Sequence, residues 1–81
     1  MKIIVVDDDV IMLQAIKTML TKKGYEVFAT TDAQDALDTI EEEEYDLIIS
    51  DIMMPYVSGI ELLSSIKKIN KNIPIIIISA R

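Results

Sequence analysis

Cysteine and histidine are both absent from this 81-residue chain. Without them there is no disulfide framework, no thiolate nucleophile, no Cys-ligated zinc, and none of the commonest general base and metal ligand. Whatever chemistry the chain carries is carboxylate chemistry. Glycine and proline are scarce, two of each, while 51% of residues are hydrophobic and 27% charged. That balance excludes a disordered polymer, which has too few apolar groups to collapse. Basic residues are outnumbered, eight Lys and Arg against fourteen Asp and Glu, for a net charge of -6. A duplex phosphate backbone would on average repel such a surface, so nucleic-acid binding by this chain is not expected. Long apolar runs at the start are missing too: Lys2 precedes only Ile3 to Val6 before three consecutive aspartates. Neither a signal-peptide core nor a membrane span tolerates that pattern, and the chain reads as cytoplasmic, with no membrane partner.

At this length there is room for one small domain, burying between about 60 and 70% of the surface its unfolded form exposes. Three short apolar runs rich in β-branched residues, Ile3 to Val6, Leu47 to Ile49 and Ile75 to Ile78, suit strands buried on both faces, the mark of a parallel sheet. Helical spacing fills the intervals. The order is strand Lys2 to Asp7, helix Asp9 to Lys23, strand Tyr25 to Thr30, helix Asp32 to Glu43, strand Asp46 to Ser50, helix Gly59 to Ile69 and strand Pro74 to Ser79. Such alternation predicts an α/β doubly wound parallel sheet with helices on both faces.

Boundary signals accompany this order. Gly24 after Lys22 and Lys23 fits a left-handed C-terminal cap with cations at the negative end of the helix dipole. Thr31 with Gln34, and Ser58 with Glu61, have capping-box spacing. The acidic run Glu41 to Glu44 reads as a solvated helix end. Two features do not close on themselves. Ile11, Met12, Leu13, Ala15, Ile16, Met19 and Leu20 cover roughly 200° of the first helix, twice the arc one packing face needs. The Ile75 to Ile78 strand, in turn, has neither a following helix nor a further neighbour in this sequence. An apolar, uncharged edge invites pairing with another chain, so self-association through that edge and the first helix is expected.

In open α/β sheets, function collects at the carboxyl ends of the strands. Asp7 and Asp8 end the first strand and Asp51 ends the third. If those strands are neighbours, three carboxylates face one crevice, and they raise one another's proton affinity unless a cation neutralises them. Oxygen donors without His or Cys point to a hard divalent ion, Mg²⁺ first. Asp9, directly before Val10, reads instead as a helix N-cap.

Ile3-Ile4-Val5-Val6-Asp7-Asp8-Asp9, then Asp46-Leu47-Ile48-Ile49-Ser50-Asp51-Ile52-Met53-Met54-Pro55 with Gly59 beyond, then Ile73-Pro74-Ile75-Ile76-Ile77-Ile78-Ser79-Ala80, closely resembles the receiver domain of bacterial two-component response regulators. The resemblance runs over essentially all of residues 1–81 and matches about the first two thirds of a receiver, its N-terminal portion. It implies the flavodoxin-like receiver fold, strand order 2-1-3-4 with the fifth strand missing from this chain. It further implies Asp51 as phosphoacceptor from a sensor histidine kinase. Asp8, Asp51 and the backbone carbonyl of Met53 would bind Mg²⁺, with Asp7 holding the ion through water. Ser79 would hydrogen-bond the arriving phosphoryl group. Receivers also carry a lysine and an aromatic switch residue on their fifth strand. Lys2, Lys17, Lys22, Lys23, Lys67, Lys68 and Lys71 all read as helical or on the opposite rim, so none substitutes.

Two alternatives stand beside this one. A fragment with no competent site would be purely structural or self-associating. A phosphatase of the haloacid dehalogenase type would use Asp7 as nucleophile and Asp9 as acid-base, but leaves Asp51-Ile52-Met53-Met54-Pro55 unexplained. A dinucleotide-binding module is weaker still, since aspartates occupy the turn where a Gly-rich phosphate cradle is required.

Overall fold

Isoleucine and valine are stiff at χ1 and pack well on a pleated surface, and their short runs form the strands of a computed structural model that describes residues 1–51, 59–69 and 72–78, with only the backbone for 60, 62 and 63. The elements are β1 (Lys2–Val6), α1 (Val10–Lys22), β2 (Glu26–Thr30), α2 (Ala33–Glu42), β3 (Leu47–Asp51), α3 (Gly59–Ile69) and β4 (Ile75–Ile78). All pairings are parallel and the sheet order is β2-β1-β3-β4. Every expected element is present. The boundaries differ by a residue or so: β1 stops at Val6, β2 starts at Glu26, and Asp51 is the last residue of β3 rather than the first beyond it.

Alternation of side chains along each strand divides the core in two. Ile3 and Val5 face α1 and pack with Leu13, joined by Ile16, Leu20, Val27 and Ile49. Ile4, Val6 and Ile48 face the opposite way, against Ala33, Ala36 and Ile40 of α2 and Ile66 of α3. Helices therefore cover both faces, as the buried runs required.

Asp9 caps α1, its Oδ1 accepting from the N–H groups of Ile11 at 3.0 Å and Met12 at 3.3 Å. At the other end Gly24 has φ +92°, its N–H donates to Thr21 O, and the Tyr25 N–H donates to Leu20 O. This paired 5→2 and 6→1 arrangement is a Schellman cap, and Leu20 and Tyr25 pack on the same cluster, the apolar contact that accompanies it. The expected Thr31 cap is corrected. Asp32 caps α2, its Oδ1 accepting from the Gln34 N–H at 2.9 Å, while Gln34 Nε2 turns away to Asp38 at 3.0 Å. The physical reason is upstream: β2 runs to Thr30, whose Oγ1 accepts the Asp32 N–H at 3.0 Å and sets Asp32, not Thr31, at the helix entry. Ser58, the other expected cap, lies outside the described residues.

Glu41 to Glu44 are all exposed, as expected, though Glu43 is engaged: its carboxylate lies 3.4 Å from Lys2 Nζ and accepts from the Tyr45 hydroxyl at 3.3 Å. The open arc of α1 is real. Ile11 is 83% exposed, and Val10, Met12 and Met19 are exposed with it, leaving Leu13 as the buried residue of the helix. Among the described residues β4 pairs with β3 alone, and Ile76 is 49% exposed. None of the described helices is long and apolar enough to cross a membrane.

Candidate metal and phosphoryl site

Register builds the site. β1 and β3 pair directly with Val6 opposite Ser50, so the next residues, Asp7 and Asp51, come abreast at the carboxyl ends of adjacent strands. Both are buried, 3% and 6% exposed, while Asp8 at the rim is exposed. The Asp7 backbone is held by donation of its N–H to Thr30 O at 3.2 Å, which ties the turn after β1 to the end of β2. Its carboxylate Oδ1 accepts the Asp9 N–H at 2.9 Å. Neither Thr30 nor this amide contact was legible in the sequence, although the N-cap signal at Asp9 fixes the backbone that makes the second.

One carboxylate oxygen each from Asp7, Asp8 and Asp51 falls within 4.8 Å of the other two. Burial raises the Asp7 pKa above the ordinary carboxylate value; the Asp9 N–H pulls it back, and the charges of Asp51 and Asp8 with a hydrogen bond to Asp51 raise it again. A crowded, partly buried, oxygen-only set of this kind suits a hard divalent cation, whose charge removes the repulsion that otherwise favours protonation. The three aspartates read from the sequence are thus brought together. Met53 and Ser79 lie outside the described residues.

Asp9 stands apart from this trio. Its carboxylate is committed to two backbone N–H groups of α1, which leaves it poorly disposed to serve as the mobile acid-base that the phosphatase reading required. Two of the described lysines have partners elsewhere. Lys2 begins β1 at the far end of the sheet, with Nζ 4.8 Å over the Tyr45 ring. Lys67 donates to Ile73 O at 2.6 Å, just before β4 starts.

Comparison with known proteins agrees with this geometry. The family model for the response regulator receiver domain matches residues 3–81. A probable transcriptional regulator, ycf29, of Pyropia yezoensis is 40% identical over 83 residues, covering 99% of this chain and 37% of the relative. The transcriptional regulatory protein YbdJ of Bacillus subtilis is 38% identical, with 99% and 35% covered. Among solved structures, the receiver domain protein of Clostridium thermocellum superimposes with TM-score 0.90 at 36% identity, covering 96% of this chain and 64% of that one. The response regulator TrrA of Thermotoga maritima, solved in complex with Mg²⁺-BeF, gives TM-score 0.91 at 36% identity, covering 99% and 70%. The chain spans little more than a third of the curated relatives it matches and about two thirds of these solved receivers. With the strand order, the paired carboxylates and the sequence match all in agreement, the chain belongs to the response regulator receiver domain family.

Proposed function

We propose that this chain accepts a phosphoryl group on Asp51 from a sensor histidine kinase, with Mg²⁺ held by Asp7, Asp8, Asp51 and the backbone carbonyl of Met53. The observation that carries the reading is the meeting of three carboxylates from two adjacent strand ends within 4.8 Å. The Mg²⁺-BeF complex of the related TrrA supports it.

The residues act as follows. An Asp51 carboxylate oxygen attacks phosphorus, the phosphorus–nitrogen bond of the phosphohistidine breaks, and an acyl phosphate remains on Asp51. Burial of Asp51 at the end of β3, which lies between β1 and β4, limits its freedom and aims it, which counts because phosphoryl transfer depends on positioning and charge neutralisation. Mg²⁺ held by Asp7, Asp8 and Asp51 would supply that neutralisation. Asp7 and Asp8 hold the ion; Asp51 is the nucleophile and not a general base. Ser79 hydrogen-bonds the arriving phosphoryl group and links it to a change in local structure. The chain acts as a signalling receiver rather than an enzyme, in the cytoplasm, without nucleic acid or membrane as its own partner. Self-association through the β4 edge and the α1 face belongs to the same proposal, supported by the exposed Ile76 and by Val10, Ile11, Met12 and Met19.

Incubation with a small phosphodonor and Mg²⁺, followed by intact mass measurement, tests the central claim. A phosphoryl adduct on the wild type that is missing from Asp51→Asn is the expected result; an adduct on both, or on Asp7, refutes it. Size-exclusion chromatography across concentrations tests self-association, and a monomer throughout counts against it.

A further inference from the structure

The turn between β1 and α1 carries a contact that the proposed chemistry does not use. The Asp9 peptide is clamped on both sides: its N–H donates to Asp7 Oδ1 at 2.9 Å, and its carbonyl accepts the Leu13 N–H at 2.9 Å. The side chain adds two more bonds, to the N–H groups of Ile11 and Met12. Little else holds this first turn of the helix. Val10, Ile11 and Met12 are 58%, 83% and 40% exposed, the first buried residue is Leu13, and no acidic side chain stands in the first turn to compensate the helix dipole. Burial, the usual source of helical order in proteins, is therefore missing where the amide that holds Asp7 originates.

We propose that Asp9 is a positioning residue for the cation site: by capping α1 it fixes the direction of its own N–H, which in turn holds the Asp7 carboxylate in its ligating orientation. The inference rests on the reading that Asp7, Asp8 and Asp51 bind Mg²⁺. Groups that orient a metal ligand through a hydrogen bond commonly matter about as much as 10- to 100-fold in metal affinity. Asp9 works through the backbone and not through its charge. Its exposed carboxylate lies outside the group whose oxygens converge, and an exposed charge acts on a cation through water and counter-ions, worth no more than about threefold at physiological ionic strength.

The two roles predict different rescues. Asparagine and serine keep an acceptor for the capped N–H groups and lose the charge; alanine loses both. The experiment is an Mg²⁺ titration of the 81-residue chain and of Asp9→Asn, Asp9→Ser and Asp9→Ala, followed by amide NMR with circular dichroism to check folding. Asp9→Asn and Asp9→Ser are expected to bind within about threefold of wild type, and Asp9→Ala about tenfold more weakly. The proton resonance of the residue 9 amide, deshielded by the Asp7 carboxylate, should persist in the first two variants and move towards its random-coil position in the third. Equal loss in Asp9→Asn and Asp9→Ala overturns the inference, as does wild-type affinity or an unmoved amide resonance in Asp9→Ala. Should the alanine variant not fold, the other two still decide: about tenfold loss in both overturns the inference, and retention with the amide resonance in place supports it. A wild type that binds no Mg²⁺ overturns the metal reading itself, which separates that failure from this one.

Discussion

Replacing Asp7 by asparagine removes one of three mutually repelling charges while changing almost nothing in shape. The amide side chain of Asp7→Asn keeps an oxygen that accepts the Asp9 N–H, so no hydrogen bond to the turn need be lost. The gain comes from relief of repulsion. Two unit charges 4.8 Å apart, the outer limit for the ligand oxygens here, repel by about 0.9 kcal/mol in bulk water and about 3.5 kcal/mol at the effective dielectric of 20 that suits protein sites. Asp7 and Asp51 are both buried, so the metal-free variant should be more stable than wild type by about 1 to 3 kcal/mol. For a domain of this size each kcal/mol moves Tm by roughly 4 to 8 °C. Thermal unfolding at pH 7 in a chelator should therefore show Asp7→Asn melting higher. Adding Mg²⁺ should narrow the gap: at about ten times Kd the ion stabilises the wild type by about 1.4 kcal/mol and the variant hardly at all. A variant that melts at or below the wild type without metal, or equal stabilisation of both proteins by Mg²⁺, refutes the claim that these carboxylates are crowded into one cation site.

The pH dependence follows with a definite sign. Burial, reinforced by the charges of Asp51 and Asp8, raises the folded-state pKa of Asp7 above its unfolded value of 3.8. The folded state thus holds this proton more tightly, and the stability it contributes is complete below about pH 3.8 and lost as pH rises through the folded value. Urea unfolding without metal should find the advantage of Asp7→Asn small near about pH 3.5 and growing to a plateau towards neutrality; a constant difference across that range contradicts it. Gly24→Ala should cost about 1 to 2 kcal/mol by urea denaturation, because φ +92° disfavours any L side chain even though an added Cβ meets nothing within 4 Å. Ile66→Ala, at a fully buried position where α3 meets the sheet, should cost about 2 to 5 kcal/mol by the same assay.

The strands were legible because β-branched runs between helical intervals leave few other options, and Gly24 because a glycine after two lysines has one common use at a helix end. Asp9 was legible as a cap for a similar reason: a short acceptor immediately before an apolar helical stretch. The α2 cap was not. Thr30, Thr31 and Asp32 are three consecutive side chains able to cap, and the choice among them was settled by where β2 stops, a tertiary fact that spacing does not contain. The same holds for the site. Sequence puts aspartates at the ends of two strands, but only the adjacency and register of β1 and β3 bring Asp7 and Asp51 abreast, and that adjacency entered through family resemblance rather than residue pattern. The Asp7 amide link to Thr30 and the Lys2, Glu43 and Tyr45 cluster join residues far apart along the chain, and no local pattern announces them.

The strand order also bears on how the chain is made. β1, which is synthesised before both of its neighbours, is flanked on both sides in the finished sheet, and among the described strands every pairing is parallel, so none is joined to its partner by a hairpin. At synthesis rates of roughly 5 to 20 residues per second, its buried apolar edge waits seconds for each flank, first β2 with α1 and then β3. Through that interval Ile3 to Val6 are the segment most in need of shielding, so a chaperone that binds short aliphatic stretches should engage the nascent chain there and release it once β3 has emerged.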